Sequence, residues 1–587
     1  MRNAVLAALL VIAACGDSSA PPQASPSAPM SPTPAPTSSM VAVNRGELKE
    51  VGEASGIQCV LRSGGDLLRH VVDVKGLGVA TADFDGDGRV DVLVTSGSSL
   101  ERFNAGESGY GIWLYRNVTA AGGAIAFEEI PNAGGISGPK WPSGPAVVDI
   151  DGDGDLDVLL TGFGGMALWR NRGNGTFEDA TKSSGLDLNG WTTGAAFADL
   201  DGDGDLDLYI ARYLTLDPKN PPVHGSKYSC TWKGHVVLCG PRGLPAEADR
   251  AFRNQGDGTF EDATAAWGFD KAEAQYGLGV LARDFNGDGK VDVFVANDSC
   301  ANFLFINNGS TFDEVALESG VAYSEDGKEM AGMGVDASDL NGDGLPDIIV
   351  TNFSDQPNSI FLSQSRGRWL ESSRSTGVAL PSYPMLSWGV AFADMDCDGR
   401  EDFLVANGHV YPEADRSGTD TSFKQPAQLF LRVGPSNPPR FADVSSQVGA
   451  SFAVPHVARA LAVADLDLDG DSDAVMVAIG ERPQVFENRL TRTGQPLRVR
   501  LRDLKSRNRE AIGGLVTLAV TRDVQSRAVR RNHSFFASSD GDVMLSIPSG
   551  TATAELLVAW PDGSTEVFTW TAGKTHVILE RGTGRSR

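Results

Sequence analysis

A nine-residue pattern recurs seven times along this chain: DFDGDGRVD from residue 83, DIDGDGDLD from 149, DLDGDGDLD from 199, DFNGDGKVD from 284, DLNGDGLPD from 339, DMDCDGRED from 394 and DLDLDGDSD from 465. Repetition of this kind restricts the fold to a repeat architecture, in which one supersecondary unit buries its apolar face against the next copy. Each copy (loops 1 to 7 in chain order) also crowds carboxylates against an apolar run. Like charges at that spacing repel and are costly to desolvate, so the pattern calls for a cation.

Aligning the copies gives each position a role. Oxygen donors occupy position 1 (Asp83, Asp149, Asp199, Asp284, Asp339, Asp394, Asp465) and position 3 (Asp85, Asp151, Asp201, Asn286, Asn341, Asp396, Asp467). They recur at position 5 (Asp87, Asp153, Asp203, Asp288, Asp343, Asp398, Asp469) and position 9 (Asp91, Asp157, Asp207, Asp292, Asp347, Asp402, Asp473). Position 6 is glycine in every copy, as expected where the backbone turns with positive φ. Position 7 is Arg89, Asp155, Asp205, Lys290, Leu345, Arg400 and Asp471 in turn, and such indifference to side chain fits a backbone carbonyl ligand. This is the logic of the EF-hand calcium loop, with the closing carboxylate at position 9 instead of a Glu at 12. The expectation is Ca2+ at up to seven sites. Seven such ions would offset about half of the net charge of −26. That charge argues against nucleic acid or anionic lipid headgroups as the main partner.

Short β-branched and aromatic runs follow the loops (VLVTS, VLLTG, LYIAR, VFVAN, IIVTN, FLVAN), so each loop reads as strand, turn, strand in an all-β chain. A second marker alternates with the first: ELKEVGEASGI at 47, FEEIPNAGGI at 127, FEDATKSSGL at 177, FEDATAAWGF at 260, FDEVALESGV at 312, WLESSRSTGV at 369 and FADVSSQVGA at 441. The series begins with this marker and ends without one. The first strand is therefore expected to complete the last sheet and close a ring that leaves no open edge. Insertions enlarge the units near 97–111, 213–250 and 408–426.

The N-terminal stretch has an apolar run from Ala4 to Ala14, too short to span a bilayer permanently, and then Cys15. Its Ile12-Ala13-Ala14-Cys15 resembles the lipobox of bacterial lipoproteins, which implies a signal peptide over 1–15 and lipidation of Cys15. Residues 16–43 are rich in Pro, Ser and Ala and read as a flexible tether. The expectation is an exported protein facing the periplasm or cell exterior, touching the membrane only through a lipid anchor. In that oxidising setting Cys230 and Cys239, within one insertion, form a candidate disulfide. A zinc site built from two cysteines with His224 and His235 is the competing reading, although its spacing fits no common pattern.

The seven loops resemble the FG-GAP or VCBS repeats of integrin-α-like seven-bladed β-propellers. CGPRGLPAEADRAFRNQGDGTFEDAT, ANDSCANFLFINNG, MAGMGVDASDLNGDGLPDIIVTNFSD and ANGHVYP are similar to the cartilage acidic protein family, whose propeller precedes an ASPIC/UnbV domain. That domain would occupy 491–580, with Asn508, Arg509, Ile512 and Gly513 matching its Asn-Arg, Ile-Gly element and Trp560, Pro561 and Gly563 its Trp-Pro-x-Gly turn; residues 581–587 form a tail. The chain departs from the family at SSDGDVMLSIPSG, where a Gly-Leu-Gly element usually follows Ser-Ser. Read by itself, 495–580 alternates apolar and polar residues, as in a small β-sandwich or barrel-like domain. The resemblance implies a propeller over 44–490 and specifies architecture better than activity.

Two function classes compete. One is a protein- or glycan-binding or adhesion module that uses the long loops near 213–250 and 408–426, with Trp232 as a candidate contact. The other is an enzyme, for example a hydrolase, with a site in the propeller channel near His409 and His456; a purely structural scaffold is a further alternative. No nucleophile elbow, zinc helix or phosphate loop is present in the sequence to favour catalysis.

Overall fold

The computed structural model describes residues 45–120, 122–222, 230–434, 437–520 and 524–586. The expected signal peptide, the Cys15 lipidation site, the tether and His224 lie outside these residues.

In every copy the nine-residue pattern is the turn of an antiparallel hairpin. The inner strand ends just before position 1 and the next begins at position 9, so Ala82 pairs with Asp91, Val148 with Asp157, Ala198 with Asp207 and Arg283 with Asp292. Ser338 with Asp347, Ala393 with Asp402 and Ala464 with Asp473 continue the series. Two further strands complete each sheet. In blade 1 the four are Leu77–Ala82, Asp91–Ser96, Gly111–Asn117 and Phe127–Ile130, the last carrying the second sequence marker. Blades 2 to 6 repeat this arrangement from strands beginning at Trp141, Thr192, Gly277, Val335 and Ser387.

Blade 7 draws three strands from Ala458–Leu490 and its fourth from Gly46–Glu50, with Leu48 opposite Asn488. Each sheet is open, and the ring arises because the innermost strands pack in sequence until Ala458–Ala464 lies against Leu77–Ala82. Apolar side chains fill the wedges between blades: Ala80, Leu93 and Leu114 of blade 1 meet Val147, Val158 and Trp169 of blade 2. The all-β, seven-bladed expectation holds, as does completion of the last sheet by the first strand.

Among the described residues a buried side chain ties every blade except the fifth to its predecessor. The Asn171 amide donates to Leu156 O of its own loop (3.1 Å) and to Phe84 O of the preceding loop (2.8 Å). Asn254 does the same to Leu206 and Ile150, and Asn307 to Val291 and Leu200. Asn488 reaches Met395 O, and in blade 6 Arg432 reaches Leu340 O. The acceptors are always position 8 of the blade's own loop, position 2 of the loop before it, or both.

Past residue 490 two sheets form the expected sandwich. One contains Gly494–Arg502, Val543–Pro548 and His576–Glu580; the other contains Leu515–Leu518, Gln525–Ala528, Thr553–Ala559, Thr565–Thr571 and Arg585–Ser586. Leu497, Val499, Leu545 and Ile547 of the first close on Val516, Leu518, Leu556 and Val558 of the second, with Trp560 and Trp570.

Residues 531–540 leave this sandwich and enter the axis of the ring. Ser534 exchanges backbone hydrogen bonds with Val335, its Oγ accepts from Val390 N (2.9 Å) and donates to Leu461 O (3.1 Å). Asn532 Oδ1 accepts from Val147 N (3.1 Å), and Ala537 pairs in parallel with Val79. Left-handed φ at Ser534 (76°) and Phe536 (50°) shapes the tip, where Phe535 stacks on Phe536 and packs on Trp388, ring centroids 4.0 and 4.7 Å apart. The far end of the axis is closed by Lys75, whose Nζ pairs with Asp298 (3.1 Å) and lies over the Tyr213 and Trp388 rings. Among the described residues no helix is long and apolar enough to cross a membrane.

Candidate metal centres

The Asp-rich loops all adopt one local structure. The position 5 and 6 N–H groups donate to the position 1 carboxylate, as Asp153 and Gly154 do to Asp149 (3.2 and 2.9 Å). The position 7 N–H donates to the position 5 carboxylate in all seven copies, at 2.8 to 3.2 Å. Position 6 glycine has φ between 84° and 99° throughout, the left-handed backbone expected from the sequence.

Carboxylate oxygens of positions 1, 3 and 9 converge within 4.8 Å in loops 1, 2, 6 and 7: Asp83, Asp85 and Asp91; Asp149, Asp151 and Asp157; Asp394, Asp396 and Asp402; Asp465, Asp467 and Asp473. In loop 3 the convergent set is Asp199, Asp201 and Asp203. Loops 4 and 5, with Asn286 and Asn341 at position 3, show no such carboxylate trio among the described residues. The other position 5 carboxylates stand in the turn and serve the backbone of position 7, whose side chains, from Arg89 to Asp471, point to varied partners.

Position 9 carries more than a ligand role. Each of its seven carboxylates is buried and accepts two backbone N–H groups, one from position 2 and one from the third strand. Asp91 takes Phe84 N and Asn117 N (3.1 and 2.8 Å), and Asp473 takes Leu466 N and Asn488 N (2.9 and 2.7 Å). Burial pushes the Asp91 and Asp207 carboxyls up to about 8 and those of Asp292 and Asp347 to about 7. Low-dielectric surroundings disfavour the charged form unless a counter-charge is present.

A cation fits these loops on one specific observation. Asp85, Asp151 and Asp201 at position 3 each give Oδ2 to an arginine of the third strand, Arg116 (2.6 Å), Arg170 (3.6 Å) and Arg253 (2.6 Å) respectively. Their Oδ1 atoms, and that of Asp396, are buried without a hydrogen-bond partner. Unpartnered buried carboxylate oxygens beside two more carboxylates form an all-oxygen donor set of the kind hard divalent cations take. Sequence reasoning missed both the arginines and the bridging asparagines. Their signal was available in the recurring endings YRN, WRN, FRN, FIN and FEN of the third strands.

The two histidines weighed for catalysis have other roles. His409 Nδ1 accepts from Tyr411 N (3.0 Å), which leaves the Nε2 proton to donate to Ser354 Oγ (3.0 Å). Burial holds its pKa down at about 3, so the ring is neutral and its basic nitrogen is already taken. His456 Nδ1 lies 2.5 Å from Glu481 Oε2. Trp232 sits on a short hairpin, Cys230–Trp232 paired with His235–Val237, and packs on His409 and Tyr411 at 4.8 and 5.6 Å. Lys233 Nζ next to it reaches Asp355 and Thr419 O, both at 2.9 Å. The insertions around 213–250 and 408–426 thereby meet. Cys230 and Cys239 are bonded to each other, while Cys59, Cys300 and Cys397 are buried free thiols.

A family model described as FG-GAP-like repeat matches residues 83–160, 149–210, 236–295, 284–350 and 339–405, together about half of the chain. A model described as ASPIC and UnbV matches residues 504–586. Cartilage acidic protein 1 of Mus musculus is 26% identical over 261 residues, covering 41% of this chain and 36% of that protein. The Homo sapiens protein of the same name is 32% identical over 162 residues, covering 27% of this chain and 24% of that protein. The matched region is thus well under half the length of either relative. Among solved structures, an Agrocybe aegerita lectin described as recognising non-reducing terminal N-acetylglucosamine aligns with a TM-score of 0.36 and 18% identity, covering 68% of this chain and 88% of that one.

Proposed function

The chain belongs to the family of FG-GAP-like repeat proteins that carry a C-terminal ASPIC and UnbV domain, and from that premise we propose that it is a calcium-binding module for a protein or glycan ligand, exported and held at a membrane by a lipid on Cys15. The observation that carries the binding reading is the filled axis: residues 531–540 occupy it from one end and Lys75 with Asp298 from the other. A ring whose axis is filled offers partners its surfaces, and the fold by itself does not fix which of them is used. The joined insertions bearing Trp232 form the face turned away from the Asp-rich loops.

Calcium in this reading is held by positions 1, 3 and 9, or 1, 3 and 5 in loop 3. Its chemical contribution is charge: it neutralises carboxylates that otherwise face each other in a desolvated turn. At a Kd of about 0.1 mM and about 1 mM free calcium, each occupied loop gains about 1.4 kcal/mol of stability.

The first test is a thermal melt of residues 44–587 with millimolar calcium and then with excess chelator, together with a count of bound metal. Five to seven ions and a melting temperature lower by many degrees on chelation support the calcium reading; no bound metal removes it. Glycan-array and matrix-protein binding by the same chain, compared with Trp232→Ala, tests the ligand face. Binding that survives Trp232→Ala unchanged would move the ligand elsewhere. Retention in the membrane fraction that disappears in Cys15→Ser tests the anchor.

A further inference from the structure

The sandwich domain docks on the face of the ring that carries the Asp-rich loops, and it does so with arginines. Arg500 Nη1 lies 3.5 Å from Asp83 Oδ2 in loop 1 and its Nε 2.8 Å from Asp542 of the sandwich; in loop 7 Arg492 pairs with Asp469 and Asp471, and Arg498, held by Asp540 and Asp542, has Nη1 3.9 Å from Asp465 Oδ2. Arg507 Nε lies 3.6 Å from Asp205 Oδ1 in loop 3. Loop 2 is touched at the main chain, where Arg509 Nη1 donates to Asp153 O (2.9 Å); at loop 6 Arg527 Nη2 donates to Gly399 O (3.3 Å) and its Nε pairs with Glu401 (2.5 Å). Among the described residues, loops 4 and 5 have no hydrogen bond or ion pair with the chain beyond residue 490; their contacts are internal or to neighbouring blades.

The division coincides with a change in the loops themselves. The five loops under the sandwich are those with Asp at position 3 and a convergent carboxylate trio; the two outside it carry Asn286 and Asn341. The third strand adds an arginine in three of these five blades: Arg116, Arg170 and Arg253 face Asp85, Asp151 and Asp201 in blades 1 to 3. Ile306, Leu362, Leu431 and Glu487 take the equivalent places in blades 4 to 7. Arginines from beyond residue 490 accompany the more acidic loops, whereas loop 4 has only its own Lys290 against Asp288.

We propose that the sandwich domain tunes the cation affinity of the loops it covers, with Arg498, Arg500 and Arg507 acting as resident counter-cations for loops 7, 1 and 3, so that the seven loops fall into a domain-coupled class and an independent class. This rests on the calcium reading above. A guanidinium beside a position 1 or position 7 carboxylate repels an incoming dication and shares the oxygens it needs, so docking lowers calcium affinity at those loops. Linkage makes the effect reciprocal: calcium in loops 1, 3 and 7 loosens these arginine contacts, while loops 4 and 5 fill without disturbing the domain. The axial segment 531–540 keeps the domain in place throughout, and the change is confined to the arginine rim.

The test is calcium titration by calorimetry on residues 44–587, with hydrogen exchange of the loop peptides followed across the same titration. Arg507 is half exposed and has one carboxylate partner, so Arg507→Gln leaves the core intact. It is expected to raise the affinity of one site roughly three- to tenfold, with the gain in protection confined to loop 3. Arg500→Gln should do the same at loop 1, and Arg585→Gln, which pairs with Glu555 far from any loop in sequence, should leave every site unchanged. Calcium should also speed exchange around 498–510. Full calcium binding with unaltered affinities in both Arg507→Gln and Arg500→Gln overturns the proposal while sparing the calcium reading. Failure of the wild-type chain to bind calcium overturns both.

Discussion

Asn117 and Leu466 are 349 positions apart in the chain, and the Asn117 amide donates to the Leu466 carbonyl at 2.9 Å while also donating to Val90 O at 3.0 Å. The same bridge joins blades 1 to 4 in order, and here it joins the first blade to the last. Together with the Gly46–Glu50 strand it closes the ring. Asn117→Leu leaves two buried carbonyls without donors, and about 2 to 4 kcal/mol should be lost. The urea midpoint should fall at an unchanged m-value; a variant as stable as wild type would show that the bridge is dispensable.

Phe535 is fully buried at the tip of the axial segment, stacked on Phe536 and packed on Trp388. Phe535→Ala opens a cavity where seven blades converge, with an expected cost of about 3 to 5 kcal/mol. Because the segment belongs to the sandwich and its contacts belong to the ring, both should unfold earlier in a single transition. Calorimetry that resolves an unchanged ring transition and a separate sandwich transition would contradict this integration.

Gly88 has φ of 87° with open space where a Cβ would stand, so its requirement is conformational alone. Gly88→Ala should cost about 1 to 2 kcal/mol, whereas Gly65→Ala, also in open space but without a left-handed backbone, should lie within about 0.5 kcal/mol of wild type. Cys397 occupies position 4 of loop 6 at φ 54°, where five other loops have glycine. Cys397→Gly should therefore be neutral or mildly stabilising. Thermal melts in saturating calcium distinguish the three.

Asp249 accepts from Arg212 N (2.8 Å) and from Tyr209 Oη (2.8 Å), and burial pushes its carboxyl up to about 7. The folded state thus holds the proton more tightly than the unfolded chain, whose aspartates titrate near 3.9. Stability from this group is greatest below about pH 4 and is lost as pH rises toward 7. Asp249→Asn keeps the shape without the charge. Its stability relative to wild type should grow between about pH 4 and 7 and level off above, reaching on the order of 2 kcal/mol. A difference that does not vary with pH would place the cost elsewhere.

The repeat of nine residues, taken alone, determined the ring. Seven equal turns with an obligatory glycine, each followed by a β-branched strand, admit few other architectures, and the offset between the two sequence markers already specified that the first strand completes the last sheet. It also located the oxygen-rich turns, because ligand spacing within a loop is a local property written in consecutive residues. Tertiary structure decided what depends on contacts far apart in the chain. Position 9 proved to be a buried acceptor for two backbone donors, since one of them comes from a strand 14 to 47 residues away. Residues 531–540, unremarkable in composition, fill the axis because a ring of seven inner strands leaves a gap that only a segment from outside the repeat can occupy. The arginines of the sandwich meet the acidic loops for the same reason: charge complementarity between faces has no periodicity in sequence and exists only once both surfaces are folded.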